Sequence, residues 1–228
     1  MKKILLVGCL FAASWGFAHG QETVVPVDNV FVPSGFDTND KTQIFLEGKF
    51  PNTCYRRPKT EVTPQNGVLH VSMKATRVPG PCIQAFVPFL EPVELGNLGI
   101  GAHRIVVDNG PSTVVSSIDV EVPGSSSIDN FTYANVTSVS ARDKKIILTG
   151  YHPSSCMRLD RIDTKVSETG NTISIMPVIA QNPEQPICDC MIVPFEYEVP
   201  LPQMKSSMVL VHVRKIDGNA LNYLVKNN

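Results

Sequence analysis

Apolar and polar residues alternate along most of the chain in short runs. Val68-Leu69-His70-Val71-Ser72-Met73 puts Leu69, Val71 and Met73 on one face, and Val114 to Val122 repeats that period of two. Such runs predict half-buried strands, whose successive side chains point to opposite faces of a sheet. The first half yields Val24–Val32, Thr42–Phe50, Tyr55–Val62, Val68–Arg77, Ile83–Leu95, His103–Val107 and Val114–Val122. The second half yields Phe131–Ser140, Lys145–Tyr151, Met157–Val166, Thr172–Ala180, Asp189–Leu201, Met208–Arg214 and Leu221–Val225. Gly, Pro, Asn and Asp punctuate the runs, and no helical period appears. Pro88, Pro92, Pro194 and Pro200 cannot donate within a central ladder, so their segments belong at sheet edges or at bulges.

The two halves are copies of one another. Ile44-Phe45-Leu46-Glu47-Gly48-Lys49-Phe50-Pro51-Asn52-Thr53-Cys54 answers to Ile146-Ile147-Leu148-Thr149-Gly150-Tyr151-His152-Pro153-Ser154-Ser155-Cys156, both reading G-x-x-P-x-x-C. Cys82 lies six residues before Pro88-Phe89, and Cys188 six before Pro194-Phe195. Chance similarity between β-rich segments would not hold glycine, proline and two cysteines in register. The expected organisation is therefore a sandwich over residues 21–123, a Gly-Ser-Ser-Ser linker at 124–127 and a second sandwich over 128–228.

Residues 1–20 stand outside this pattern. Lys2-Lys3 precedes an apolar stretch from Ile4 to Phe17, and Ala18-His19-Gly20 supplies small residues for cleavage before Gln21. A secretory signal peptide of bacterial type is expected, since an apolar run of about 14 residues is shorter than the roughly 20 that a bilayer span needs. Cleavage removes Trp15, Cys9 and two lysines, leaving 18 basic and 21 acidic residues. That balance gives no electrostatic basis for nucleic-acid binding, which requires Lys and Arg in excess. The expected location is periplasmic or extracellular, with no integral membrane span.

Export makes disulfides the default state of the five remaining cysteines. The repeat pairs Cys54 with Cys82 and Cys156 with Cys188, each closing a loop worth roughly 3.5 kcal/mol on the chain-entropy model. Cys190 has no counterpart, because Gln84 stands at its place in the first copy. On a continuous strand Cys188 and Cys190 share a face, so Cys190 is an alternative partner for Cys156. Otherwise Cys190 is a free thiol, buried or joined to another molecule.

Motifs for an enzyme are missing: no G-x-S-x-G, H-E-x-x-H, G-x-x-x-x-G-K or strand-borne G-x-G-x-x-G occurs, and the four histidines of the mature chain lack ligand spacing. The expectation is a protein without catalytic activity, cofactor or resident metal. Arg56 and Arg158 each follow a repeat cysteine by two residues, which on a strand gives a shared face that, unless a bulge intervenes, is partly buried and needs a polar partner. With Arg57 and Arg161 they form a candidate basic strip for partner contacts.

The G-x-x-P-x-x-C segment, the second cysteine and the Pro-Phe strand resemble the immunoglobulin-like repeats of secreted bacterial proteins. The resemblance implies an all-β fold of two tandem immunoglobulin-like antiparallel β-sandwiches in an extracytoplasmic setting, and assigns no site. The expected function is binding or structural, through a macromolecular partner, most simply a protein. Two alternatives remain: a sandwich-type protease inhibitor presenting Pro64-Gln65-Asn66-Gly67 or 181–186, and a Cu(I)-handling protein using Cys190, Met157, Met176, Met204, Met208 and nearby His152 and His212.

Overall fold

The structure, a computed structural model, describes residues 20–185 and 187–227. The expected signal peptide lies outside these residues except for Gly20. All described regular structure is β. In the first repeat, β2 (Asn29–Phe31), β4 (Thr42–Phe50) and β7 (Val87–Gly96) form a three-stranded sheet in the order β2-β4-β7. Facing it is a larger sheet of β1 (Gln21–Val24), β3 (Phe36–Asp37), β5 (Tyr55–Gln65), β6 (Val68–Arg77), β8 (Gly101–Asn109) and β9 (Ser112–Glu121). The second repeat matches the three-stranded sheet and the β5-β6-β8-β9 part of the larger one. There β10 (Asn135–Arg142), β11 (Lys145–His152) and β14 (Val193–Pro200) oppose β12 (Met157–Val166), β13 (Thr172–Gln181), β15 (Met208–Arg214) and β16 (Ala220–Lys226). Most pairs are antiparallel, but β6–β8, β13–β15 and the short β3–β9 run parallel, the first two being equivalent in the two copies.

Most strands fall where the alternation places them, and the departures have local causes. The run Val24–Val32 is split by Pro26 into β1, which joins β6, and β2, which joins β4. Phe131 to Ala134 leaves the expected strand to reach β13, with Ala134 donating to Pro177 O at 2.8 Å and Ile179 to Thr132 O at 2.8 Å. The two segments expected to begin at Ile83 and Asp189 start four residues later, at Val87 and Val193, because the disulfides hold their first residues outside the ladder. The proline-bearing strands β7 and β14 are edges, as missing N–H donors require.

The glycine of each G-x-x-P-x-x-C segment has a packing reason. Gly48 pairs with Phe89 and Gly150 with Phe195 across neighbouring strands. A Cβ on Gly48 would lie 2.6 Å from the Phe89 ring and one on Gly150 2.7 Å from the Phe195 ring, so the aromatic covers bare backbone in both repeats.

Each sandwich encloses its own core. Ile44, Leu46, Val71, Met73, Ile105 and Val107 fill the first, and Ile146, Leu148, Ile173, Ile175, Val211 and Val213 the second. The two are then stacked, with sheet β2-β4-β7 lying on the outer face of sheet β12-β13-β15-β16. Phe31 and Phe45 pack with Leu210, and His212 sits between Phe36 and Phe45 at centroid distances of 5.9 and 6.2 Å. Asn171 donates to Val30 O at 2.9 Å, and the Ser34 amide to Ser174 Oγ at 2.9 Å.

Equivalent positions show how the duplicated sheets diverged. Arg77 and Gln181 occupy matching rungs, so His70, Ser72 and Lys74 of β6 correspond to Ser174, Met176 and Val178 of β13. The first set is exposed or half-buried and the second set buried. Likewise Arg104, Val106 and Asp108 answer to Leu210, His212 and Arg214. One copy of the face meets water and the other meets the neighbouring repeat, which is why β13 and β15 are apolar on both sides. The connection between repeats is held as well, with Asn39 Nδ2 donating to Ser125 O and Ser127 O and the Gly124 amide donating to Asn130 Oδ1.

Candidate functional site

The cysteine segments build the same tip twice. Cys54 is bonded to Cys82 and Cys156 to Cys188, with Cα separations of 5.4 and 4.9 Å. In the first tip the Thr53 amide donates to Ile83 O at 3.2 Å while Thr53 Oγ1 accepts from the Ile83 amide at 3.1 Å. In the second, Ser155 and Asp189 make the matching pair at 3.3 and 3.2 Å. Each tip then closes a three-residue turn, Ala85 donating to Ile83 O and Met191 to Asp189 O, with Gln84 and Cys190 at the apices.

These clamps hold apolar side chains out in water. Ile83 is 71% and Phe86 76% exposed at the first tip, and Ile187 is 80% exposed at the second beside Met191 and Ile192. Isolated exposed apolar residues are ordinary, whereas clusters on rigid segments mark interaction surfaces. The strand registers put the tips at opposite ends of the stack: Phe50 leads to Cys54 beyond the Met208 end of β15, and Gln181 runs to Cys156 beyond the Arg214 end. Beside the first tip a cleft of about 530 Å³ is lined by Val24, Pro26, Pro51, Tyr55 and Phe86, with the half-exposed Asp28–Lys49 pair, 3.7 Å apart, among its walls. Tyr55 is fixed there by stacking on Phe50 at 5.7 Å.

The structure corrects the reading of the arginines. Arg56 and Arg158 are exposed, not partly buried, because Cys54 and Cys156 lie in turns before β5 and β12, so strand alternation does not run through them. Among the described residues Arg56 donates only to the carbonyl of its neighbour Tyr55, at 3.4 Å. Arg57 lies in a β-bulge at φ 52° and is also exposed. Arg161 is taken up by Asp160 and Asp163, each at 2.9 Å, and covers the Phe131 ring at 4.5 Å. Arg77, which the spacing of the repeat does not single out, pairs with Tyr55 across the sheet, one rung from Arg56. Its signal was available only through strand pairing.

Cys190 is free and exposed, on a segment outside the strand that would have aligned it with Cys188. The proposed copper ligands are scattered: Met204 is in the second core, Met176 packs with Tyr133 and Val178, and Met208 packs near Phe31. His152 is buried against Phe195, its Nε2 2.6 Å from Tyr197 Oη, and His212 bonds Asn222 through Nδ1 at 2.7 Å. Burial lowers the pKa of both rings, that of His212 to about 4. No group of three or more His, Cys, Asp or Glu side chains suited to a metal occurs among the described residues. The Asn66-Gly67 segment is a two-residue hairpin turn, with φ of 51° and 75°, and offers no extended inhibitory loop; 181–185 leave β13 through a short turn, and Pro186 lies outside the described residues.

A second concavity runs between the repeats, about 460 Å³, past Val32, Arg104, Ser116, Ser117, Glu168 and Thr169. Ser117 Oγ donates to Glu168 Oε2 at 3.1 Å, and no histidine or cysteine lines the space. Among the described residues no helix is long and apolar enough to cross a membrane.

A family model of the ORF11 beta-sandwich domain matches residues 44–117 and again residues 146–213. The chain belongs to the ORF11 beta-sandwich domain family. Each match begins on the strand of the G-x-x-P-x-x-C segment and takes in the cysteine tip, so each falls within one copy of the duplicated unit. No curated protein and no solved structure matches the chain. Two tandem ORF11 beta-sandwich domains carrying two disulfides fit a structural or binding protein, and disulfides are compatible with an extracellular or periplasmic setting.

Proposed function

We propose that this protein is exported, has no catalytic activity, and works in the cell envelope by holding a protein partner at its disulfide-clamped tips. The observation that carries this reading is the repetition of the clamp. Both copies retain the disulfide, the reciprocal hydrogen bonds to Thr53 or Ser155 and the apical turn, yet the side chains presented are apolar and exposed. Rigidity of this kind lowers the ordering cost of binding. Export is supported by the Lys-Lys and apolar leader and by β1, which starts at Gln21, so that cleavage after Gly20 leaves the strand whole.

The test uses the mature chain immobilised through its C-terminus and exposed to envelope extract of the source cell. A protein retained by the native chain and lost when Phe86→Ser and Ile192→Ser are combined supports the reading. Retention unaffected by those changes moves the function to another surface, and turnover of an envelope substrate by the purified chain contradicts the non-catalytic assignment.

A further inference from the structure

The first tip differs from the second in a way that defines its ligand. Arg56 and Arg57 follow Tyr55, a wall of the cleft, and Arg77 pairs with Tyr55 across the sheet; all three are exposed, and among the described residues none of them makes an ion pair. The bulge between Arg56 and Lys59, with Arg57 at φ 52°, interrupts strand alternation, and the adjacent side chains of Arg56 and Arg57 are both exposed. At the matching rungs the second tip has Arg158, Leu159 and Gln181, so the three cations are particular to the first.

Three exposed cations without an ion pair, on residues that adjoin an apolar cleft, favour a ligand with complementary chemistry. We infer that the first tip binds an acidic segment of a partner protein, which seats one aromatic or branched aliphatic side chain in the cleft between Tyr55, Pro26 and Phe86 and sets flanking carboxylates on Arg56, Arg57 and Arg77. The inference rests on the binding function proposed above and narrows it to one class of partner. The cleft, at about 530 Å³, is large enough for a phenylalanine or leucine side chain, and its walls are held by the Cys54–Cys82 bridge and the Phe50–Tyr55 stack. Arginine forks suit carboxylates bidentately, which orients the segment while the cleft anchors it. A concave anchor site distinguishes this surface from one that dips into lipid, where protruding apolar groups suffice.

Panning a phage-displayed random dodecapeptide library on the mature chain, with counter-selection on the Arg56→Glu/Arg77→Glu variant, tests this. Enriched peptides should carry one large apolar residue flanked by at least two Asp or Glu. By fluorescence anisotropy their affinity should fall at least tenfold in the charge-reversed variant and in Phe86→Ala. All three positions are exposed, so these variants should keep the native circular dichroism spectrum and unfolding midpoint. Peptides that lack acidic residues, or that bind the variants equally well, would overturn the site while leaving a protein-binding function standing elsewhere. No enrichment, combined with arginine-dependent binding to phosphatidylglycerol vesicles, would assign the surface to lipid and overturn both. No enrichment without lipid binding would overturn the inference alone, the wider function then resting on envelope capture.

Discussion

Arg214 and Asp40 form a two-pronged ion pair across the boundary between the repeats, with Nη1 2.9 Å from Oδ2 and Nη2 2.5 Å from Oδ1. Both side chains are almost wholly enclosed, and Arg214 also reaches Asp129 at 2.9 Å and Gly35 O at 3.0 Å. An ion pair out of water contributes little net stability when complete, but removing one member strands the other. Arg214→Met should therefore destabilise the protein by about 3–5 kcal/mol, whereas exchanging exposed Lys145, which pairs with Glu198, should cost under about 1 kcal/mol. Urea unfolding of the two variants checks the contrast.

His212 should make the stacked repeats acid-sensitive. Burial holds its folded pKa at about 4, against an unfolded value near 6.5, so the unfolded chain takes up the proton first. Stability is then fully present above about pH 6.5, falls as pH drops, and has lost this contribution near pH 4. The full effect is about 3 kcal/mol. His152 is shifted in the same direction by burial and adds to the slope. Comparing urea midpoints of native protein and His212→Leu between pH 7 and pH 4 should show a shallower decline in the variant.

Gly48→Ala and Gly150→Ala should each cost at least about 2 kcal/mol, since either Cβ would have to displace a cross-strand phenylalanine ring and nearby backbone. Gly67→Ala meets no neighbouring atom but lies at φ 75°, so its smaller cost of about 1 kcal/mol would come from backbone strain alone. Thermal unfolding of the three variants separates steric from conformational loss.

The cysteines give an asymmetric prediction. Replacing both Cys156 and Cys188 by serine should remove roughly 3.5 kcal/mol by freeing a loop of about 30 residues in the unfolded chain. Cys190→Ser should change stability by less than about 0.5 kcal/mol, because its side chain is exposed. Thiol counting under denaturing conditions should give one reactive thiol per mature chain and none in Cys190→Ser.

Strands, edges, the duplication and the β-sandwich class were legible because period-two alternation, prolines and a repeated G-x-x-P-x-x-C are local signals. The stacking of the repeats was present too, though harder to use. Ile173 to Ile179 and Met208 to Val213 lack the alternation of Val68 to Met73, and the difference records that β13 and β15 are buried on both faces. The arginine site was only half visible. Arg56 and Arg57 stand out by spacing, but their exposure depends on a turn and a bulge that interrupt alternation, and Arg77 joins them only through pairing with Tyr55. The apolar cleft brings together Val24, Tyr55 and Phe86 from three separated segments, which no pattern in one of them reveals.

Site-specific photocrosslinking in the native envelope tests most directly whether function resides at the tips. A benzophenone side chain at Phe86 or Ile192 should join the protein to a discrete partner, while one at Val115, on the outer sheet face, should give none; crosslinks from Val115 alone, or from no position, would contradict a function based on the disulfide-clamped tips.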